Sequence, residues 1–298
     1  MNQFNSYKPA SPPANRFGRG LGLLVLIVAL IMVGLHLFGD NRLSLLISDR
    51  QKVSATTITP LVLSTTQESQ MATAINSAIA SDSDMDIGVA VQDLNNGHLY
   101  HYGLTEPFIA ASVAKLITAN LYLHDVEIGH YSLSKQLSYG SAKYELQQMI
   151  EQSDNQAWND FNTLLTHNGL ESYAASIGLT NYDPDQNTLT DTDIAQLLGK
   201  FYKGQLLNRQ DTDLLLSYMQ SANETDYIVA SVPAGIKVYH KAGWLSDRVH
   251  DAAIIDNGKH PYVLVIFSKQ QDADDYDATE GQQLFATITK ATLTAFTQ

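Results

Sequence analysis

The feature that most constrains this chain is a long helical block set between two groups of strand signals. Ile87, Val89 and Val91 alternate as in a half-buried strand, and Asn95-Asn96-Gly97 is a strong hairpin turn before a second strand over residues 99–102. A helical pattern over 71–80 precedes them. From Ser112 to about Gln220 the periodicity is mainly helical, with amphipathic segments at 142–151, 157–166, 190–202 and 211–219. Strand patterns return at 236–240, 252–255 and 262–267, and a last helix is expected over 278–296. A hairpin, a helical block, three more strands and a terminal helix describe an α+β domain. Its sheet is assembled from both ends of the chain around an all-helical insertion. The cleft between sheet and inserted helices is the natural place for a site. No internal repeat is present.

Ahead of this domain lies LGLLVLIVALIMVGLHLF, residues 21–38, interrupted only by His36. At about 1.5 Å per residue the run just spans a hydrocarbon core of about 30 Å. Lys8, Arg16 and Arg19 precede it without an acidic residue among them, so the positive-inside rule puts the N-terminus in the cytoplasm and the rest outside. A cleaved signal peptide is the competing reading. It is disfavoured by the length of the run and by Gly34-Leu35-His36, a poor cleavage site. The expected organisation is a Pro-rich disordered tail over 1–20, a signal-anchor helix over 21–38, a Thr/Ser-rich stalk over 39–67 and a folded domain over 68–298.

Four basic residues against Asp40 leave the first 42 residues at +3, so the remainder carries −16 of the net −13. A domain that acidic repels phosphate backbones, which argues against nucleic acid as a partner. There is no cysteine, so disulfides and thiolate metal sites are excluded. His98, His101, His124, His130, His240 and His250 show no metal-ligand spacing. No glycine-rich phosphate loop is present either, so neither a metal nor a cofactor is expected.

Three short stretches carry chemistry. Ser112-Val113-Ala114-Lys115 opens a helical segment, where positions i and i+3 share a face, so hydroxyl and amine can meet. The serine needs a base, and a lysine serves if burial lowers its pKa. Leu116, Ile117, Ala119, Leu121 and Leu123 predict such burial. A Ser-x-x-Lys match alone is weak, and Ser132-Leu133-Ser134-Lys135 is a second one. That second match stands in a polar stretch and is read as a decoy. Ser153-Asp154-Asn155 lies between two helical segments, where it can cap the second and also present a hydroxyl and an amide to Ser112 and Lys115. His240-Lys241-Ala242-Gly243-Trp244 ends a strand pattern. Lys241 offers positive charge there, and Gly243 lets a substrate lie against the strand edge. Taken singly, Lys241 is better explained as a surface lysine before a turn.

Together, in this order and context, the three stretches resemble the S-x-x-K, S-D-N and K-T-G set of the class A β-lactamase and penicillin-binding-protein family. The likeness runs from about Glu68 to the C-terminus. It implies an antiparallel sheet flanked by helices, with Ser112 acylated and Lys115 assisting proton removal. Ser153 and Lys241 complete the proton and charge network, and Asn155 positions the substrate. The backbone N–H groups of Ser112 and Trp244 form the oxyanion hole. Arg248 is either a ligand for a substrate carboxylate or a surface residue of the turn. The implied partner is a small-molecule or peptide acyl donor.

Two departures bear on the substrate. Class A β-lactamases carry a glutamate in an E-x-x-L-N string that activates water to clear the acyl-enzyme. The corresponding stretch here, 178–187, has no such string. Asp183 or Asp185 can substitute, but turn and cap duty suits both better. Ala242 stands where the family has Thr or Ser, and the missing hydroxyl, worth about 1.5–3 kcal/mol to a charged group, weakens carboxylate binding. The expected function is therefore acyl transfer or hydrolysis on cell-wall peptides or β-lactams. A β-lactamase with a non-standard deacylating group, and a catalytically silent binding module of the same fold, are the alternatives.

Overall fold

The computed structural model describes residues 61–271 and 275–297. The expected tail, signal-anchor run and most of the stalk lie outside the described residues. Among those described, no helix is long and apolar enough to cross a membrane.

The first helix, α1 (Thr65–Ser81), starts a little ahead of the expected beginning of the domain. Ser64 accepts from the Gln67 N–H and Gln67 reaches back to the Ser64 N–H, a reciprocal cap that stops the helix from fraying at its N-terminus. Strands β1 (Met85–Asp93) and β2 (Leu99–Gly103) form the expected hairpin, with Gly97 at φ 82 in its turn. A two-residue strand β3 (Phe108–Ile109) leads into a single 3-10 turn, Ala111–Ala114.

The helical block follows as α2 (Lys115–Glu127), α3 (Ala142–Glu151), α4 (Asn155–Leu165) and α5 (His167–Ser176). After the short strand β4 (Thr188–Leu189) come α6 (Asp191–Tyr202) and α7 (Arg209–Gln220). Strands β5 (Lys237–Leu245), β6 (Arg248–Asp256) and β7 (Tyr262–Gln270) and helix α8 (Ala278–Thr297) close the domain.

The five long strands form one antiparallel sheet in the order β2-β1-β7-β6-β5. β7 lies in the middle, which explains its unbroken apolar run. Val263, Val265 and Phe267 pack on the helical block, whereas Tyr262, Leu264 and Ile266 face α1 and α8. Each such side chain contributes roughly 1.5–3 kcal/mol on leaving water. α2 is buried all round from Lys115 to Leu123, and it threads the core of the helical block.

Two expectations needed correction. β5 and β6 run past the apolar stretches that announced them, because His240, Lys241, His250 and Asp251 are buried polar residues in mid-strand. Lys241, Ala242 and Gly243 therefore sit within β5 rather than at its end. Ser112 belongs to the 3-10 turn that precedes α2, not to the α-helix itself.

Candidate active site

The 3-10 turn does for Ser112 what an α-helix would do less directly. With three residues per turn, positions i and i+3 eclipse. Lys115 is three residues on, and its Nζ lies 3.0 Å from Ser112 Oγ. The turn is forced by Ala111, a non-glycine residue at φ 49. Asn187 holds that conformation, donating from Nδ2 to the Ala111 carbonyl at 3.2 Å and accepting from the Ala110 N–H at 2.8 Å. A strained backbone held by its surroundings is a common companion of a catalytic residue.

The second stretch reaches the same amine. Ser153 occupies φ 58 in the link between α3 and α4, and this kink points its carbonyl at Lys115. Lys115 Nζ donates to the Ser153 carbonyl at 2.6 Å and to Asn155 Oδ1 at 2.7 Å, and it stands 3.4 Å from Ser153 Oγ. Asp154 caps α4, accepting from the Ala157 N–H at 2.8 Å. Capping and site-building thus use neighbouring residues of one loop.

The partners around Lys115 can hold either protonation state of its amine. As an ammonium, Nζ donates to the Ser153 carbonyl, Asn155 Oδ1 and Ser112 Oγ; once the proton is lost, two N–H groups keep Ser153 and Asn155 and the lone pair faces the Ser112 hydroxyl. Lys115 is fully buried. Burial, aided by the nearby Lys241 charge and opposed by Glu224 and Asp154, lowers its pKa to about 7. Trp158 presents its ring 5.2 Å from Nζ.

The third stretch comes in from the sheet. At Gly243 the strand passes so close to the 3-10 turn that a Cβ would stand 2.7 Å from the Ser112 nitrogen and 2.9 Å from that of Val113. Only glycine permits this approach, which brings the backbone of Trp244 alongside that of Ser112. Lys241 is fully buried behind it, donates to the Ala242 carbonyl at 2.8 Å, and has its pKa lowered chiefly by that burial. Ala242 is buried too.

These residues border a cleft of about 390 Å³ lined by Ser112, Asn155, Trp158, Asn159, Asn162 and Asn187, together with Ala111, Trp244 and Leu245. The structure brings together Ser112, Lys115, Ser153, Asn155, Gly243 and Trp244, with Lys241 adjoining. It does not bring in Arg248. That guanidinium is held by Asp247 through Nε at 2.7 Å and Nη2 at 2.5 Å, and the residue is buried away from the cleft lining.

Asp183 and Asp185 stay outside as well. Both are exposed. Asp183 accepts from the N–H groups of Asp185 and Gln186 at 2.8 and 3.1 Å, and Asp185 pairs with His167. Asp183 has the turn duty expected of it, whereas the Asp185 carboxylate is taken by His167, and among the described residues that line the cleft none is acidic.

Sequence reasoning missed Asn187, Trp158 and Glu224. A signal for Asn187 existed, since it ends D-P-D-Q-N as asparagine ends E-x-x-L-N, with Asp183 in the glutamate's place. Glu224, at φ 66 in the loop after α7, approaches Lys241 Nζ to 3.7 Å with Oε2 and accepts from Trp244 Nε1 at 2.7 Å with Oε1. Nothing in the local sequence announces that contact.

A family model described as the beta-lactamase enzyme family matches residues 70–296. No curated protein matches the chain. Among solved structures, PBP-A is 22% identical, with a TM-score of 0.70 over 80% of this chain and 98% of its own. The TLA-1 extended-spectrum β-lactamase is 16% identical, with a TM-score of 0.71 over 77% of this chain and 99% of its own. A β-lactamase from Sphaerobacter thermophilus is 20% identical, with a TM-score of 0.68 over 77% and 97%. At these identities the structural likeness establishes the shared fold.

Proposed function

Because the chain belongs to the beta-lactamase enzyme family, we propose that it is an active-site-serine acyl hydrolase or transferase working through a covalent acyl-enzyme on Ser112. One observation carries this reading: a fully buried lysine amine, with a pKa of about 7, lies 3.0 Å from a serine hydroxyl that lines a cleft. A hydroxyl becomes a competent nucleophile when such a base takes its proton.

Lys115 accepts the Ser112 proton as Oγ bonds to the substrate carbonyl carbon. The carbonyl electrons move onto oxygen, opposite the backbone N–H groups of Ser112 and Trp244. Their return breaks the bond to the leaving nitrogen or oxygen, which takes the proton back from Lys115 by way of Ser153. Water or an acceptor amine then attacks the ester and restores Ser112.

The second half-reaction separates the possible substrates. With no carboxylate lining the cleft among the described residues, nothing there activates water against a lactam-derived ester. The reading therefore favours acyl donors of cell-wall peptide type, with β-lactams as slow substrates or inhibitors. A point mutant of PBP-A, of the same fold, is known as an acyl-enzyme complex with penicillin-G, which supports lactam acylation. The apolar run at 21–38 supports a membrane anchor with the catalytic domain outside the cytoplasm.

Intact-mass measurement after exposure to a high concentration of benzylpenicillin tests this. A persistent gain of one penicillin mass, absent from Ser112→Ala, is expected. Rapid return to the free mass with continuing hydrolysis would turn the reading to a β-lactamase. No gain with either penicillin or an activated ester would turn it to a silent binding module.

A further inference from the structure

Lys241, which adjoins the cleft, and Arg248, which stands away from its lining, are both held by carboxylates of the chain itself. Glu224 spans from Lys241 Nζ, at 3.7 Å, to the Trp244 indole N–H, at 2.7 Å. It is not a stray surface contact. Its backbone is held at φ 66, and the adjacent Asn223 N–H donates to the Glu151 carbonyl at 2.9 Å, which ties the loop to the end of α3. Arg248 is closed off by two hydrogen bonds to Asp247. Ala242 puts a methyl group where a carboxylate-binding hydroxyl would stand. The polar side chains that remain on the cleft wall are neutral: the Ser112 hydroxyl and the amides of Asn155, Asn159, Asn162 and Asn187, beside the apolar surfaces of Trp158 and Leu245.

We propose that this cleft accepts an acyl donor with no carboxylate beside the scissile carbonyl, a neutral ester or an internal peptide amide, and that Glu224 is the residue that sets this preference. The inference rests on the Ser112 acyl-enzyme reading. A substrate carboxylate would have to displace Glu224 from Lys241 and then lie beside the displaced charge. Like-charge juxtaposition of this kind is how sites reject a competitor. A neutral amide leaves the Glu224–Lys241 pair intact and meets asparagine amides that both donate and accept. The strongly acidic domain adds long-range repulsion of anions.

Nitrocefin, which bears a carboxylate, and p-nitrophenyl acetate, which does not, are the probes. Their kcat/KM values are compared in the unaltered protein, Glu224→Gln and Glu224→Ala, each with a thermal melt to verify folding. The ratio of nitrocefin to ester should rise by about tenfold or more in the variants, mainly through KM. The acid limb of the ester profile should also move to lower pH, because Glu224 favours the protonated form of Lys115.

A measurement on the unaltered protein stands independently of the variants. N-acetyl-D-alanyl-D-alanine methyl ester should compete with p-nitrophenyl acetate more strongly than the free acid does. An unchanged or lower ratio in the folded variants, or a free acid that competes as well as its ester, overturns the proposal. Failure of the underlying reading looks different: neither probe then adds mass to Ser112.

Discussion

The chain contains the same four-residue pattern twice, and the two copies have opposite fates. At Ser112–Lys115 the pattern spans a 3-10 turn and the start of a buried helix, with the amine sealed among Ser153, Asn155 and Trp158. At Ser132–Lys135 it lies in an exposed loop. There the Ser132 hydroxyl bonds Ser134 Oγ at 2.8 Å, and the Lys135 N–H closes a turn onto the Ser132 carbonyl at 3.0 Å. Spacing is shared and chemistry is not. An ammonium in water stays charged and is no base, while a desolvated one gives up its proton near neutrality.

The contrast can be broken most sharply at the amines. Lys115→Ala should lower the acylation rate by about 10²–10⁴-fold, the usual worth of a positioned base, while Lys135→Ala leaves it unchanged in the same stopped-flow assay. A comparable loss in both would show that the loop copy matters.

Gly243→Ala probes the strand that seals the first copy. Its methyl group would stand 2.7 Å from the Ser112 nitrogen, so either turn or strand must move. A displacement near 1 Å at a reacting centre lowers the rate by about 10²-fold, read as kcat/KM for an activated ester. Activity within twofold would mean that Trp244 need not lie alongside Ser112.

The smallest effect is the pH dependence. The base form of Lys115 is lost as pH falls through about 7, so acylation should be flat above that value and drop about tenfold per unit below it. A limb with its midpoint far above 7 would show that the working amine is not a desolvated one.

Much of this was legible beforehand. Helix α3 falls on residues 142–151 as the periodicity requires, and β7 reads directly as a strand buried on both faces. The three motifs were found because their spacing is local. Helix α5 was missed because Thr166, at φ 60, lets two helices meet without a Gly or Pro to mark the break, and Gly169 within the helix weakens its pattern. The full length of β5 and β6 was hidden by buried His240, Lys241, His250 and Asp251, polar residues that interrupt the apolar pattern. His250 Nε2 donates to the Ile109 carbonyl while Nδ1 accepts from the Ser268 N–H, and His240 pairs with Asp251. Arg248, left open in the sequence between a carboxylate ligand and a surface residue of the turn, is buried and held by its neighbour Asp247.

By itself the amino-acid order determined the helices and strands of strong period, the acidic charge, and the pairing of Ser112 with Lys115 three residues on. All of these depend on neighbours along the chain. Only the tertiary structure decided that Lys115 is dry, that Gly243 closes on Ser112, and that Glu224 stands against Lys241 while Asp183 and Asp185 turn away. Desolvation and long-range ion pairing are properties of the packed surroundings, and residues far apart in the chain supply them.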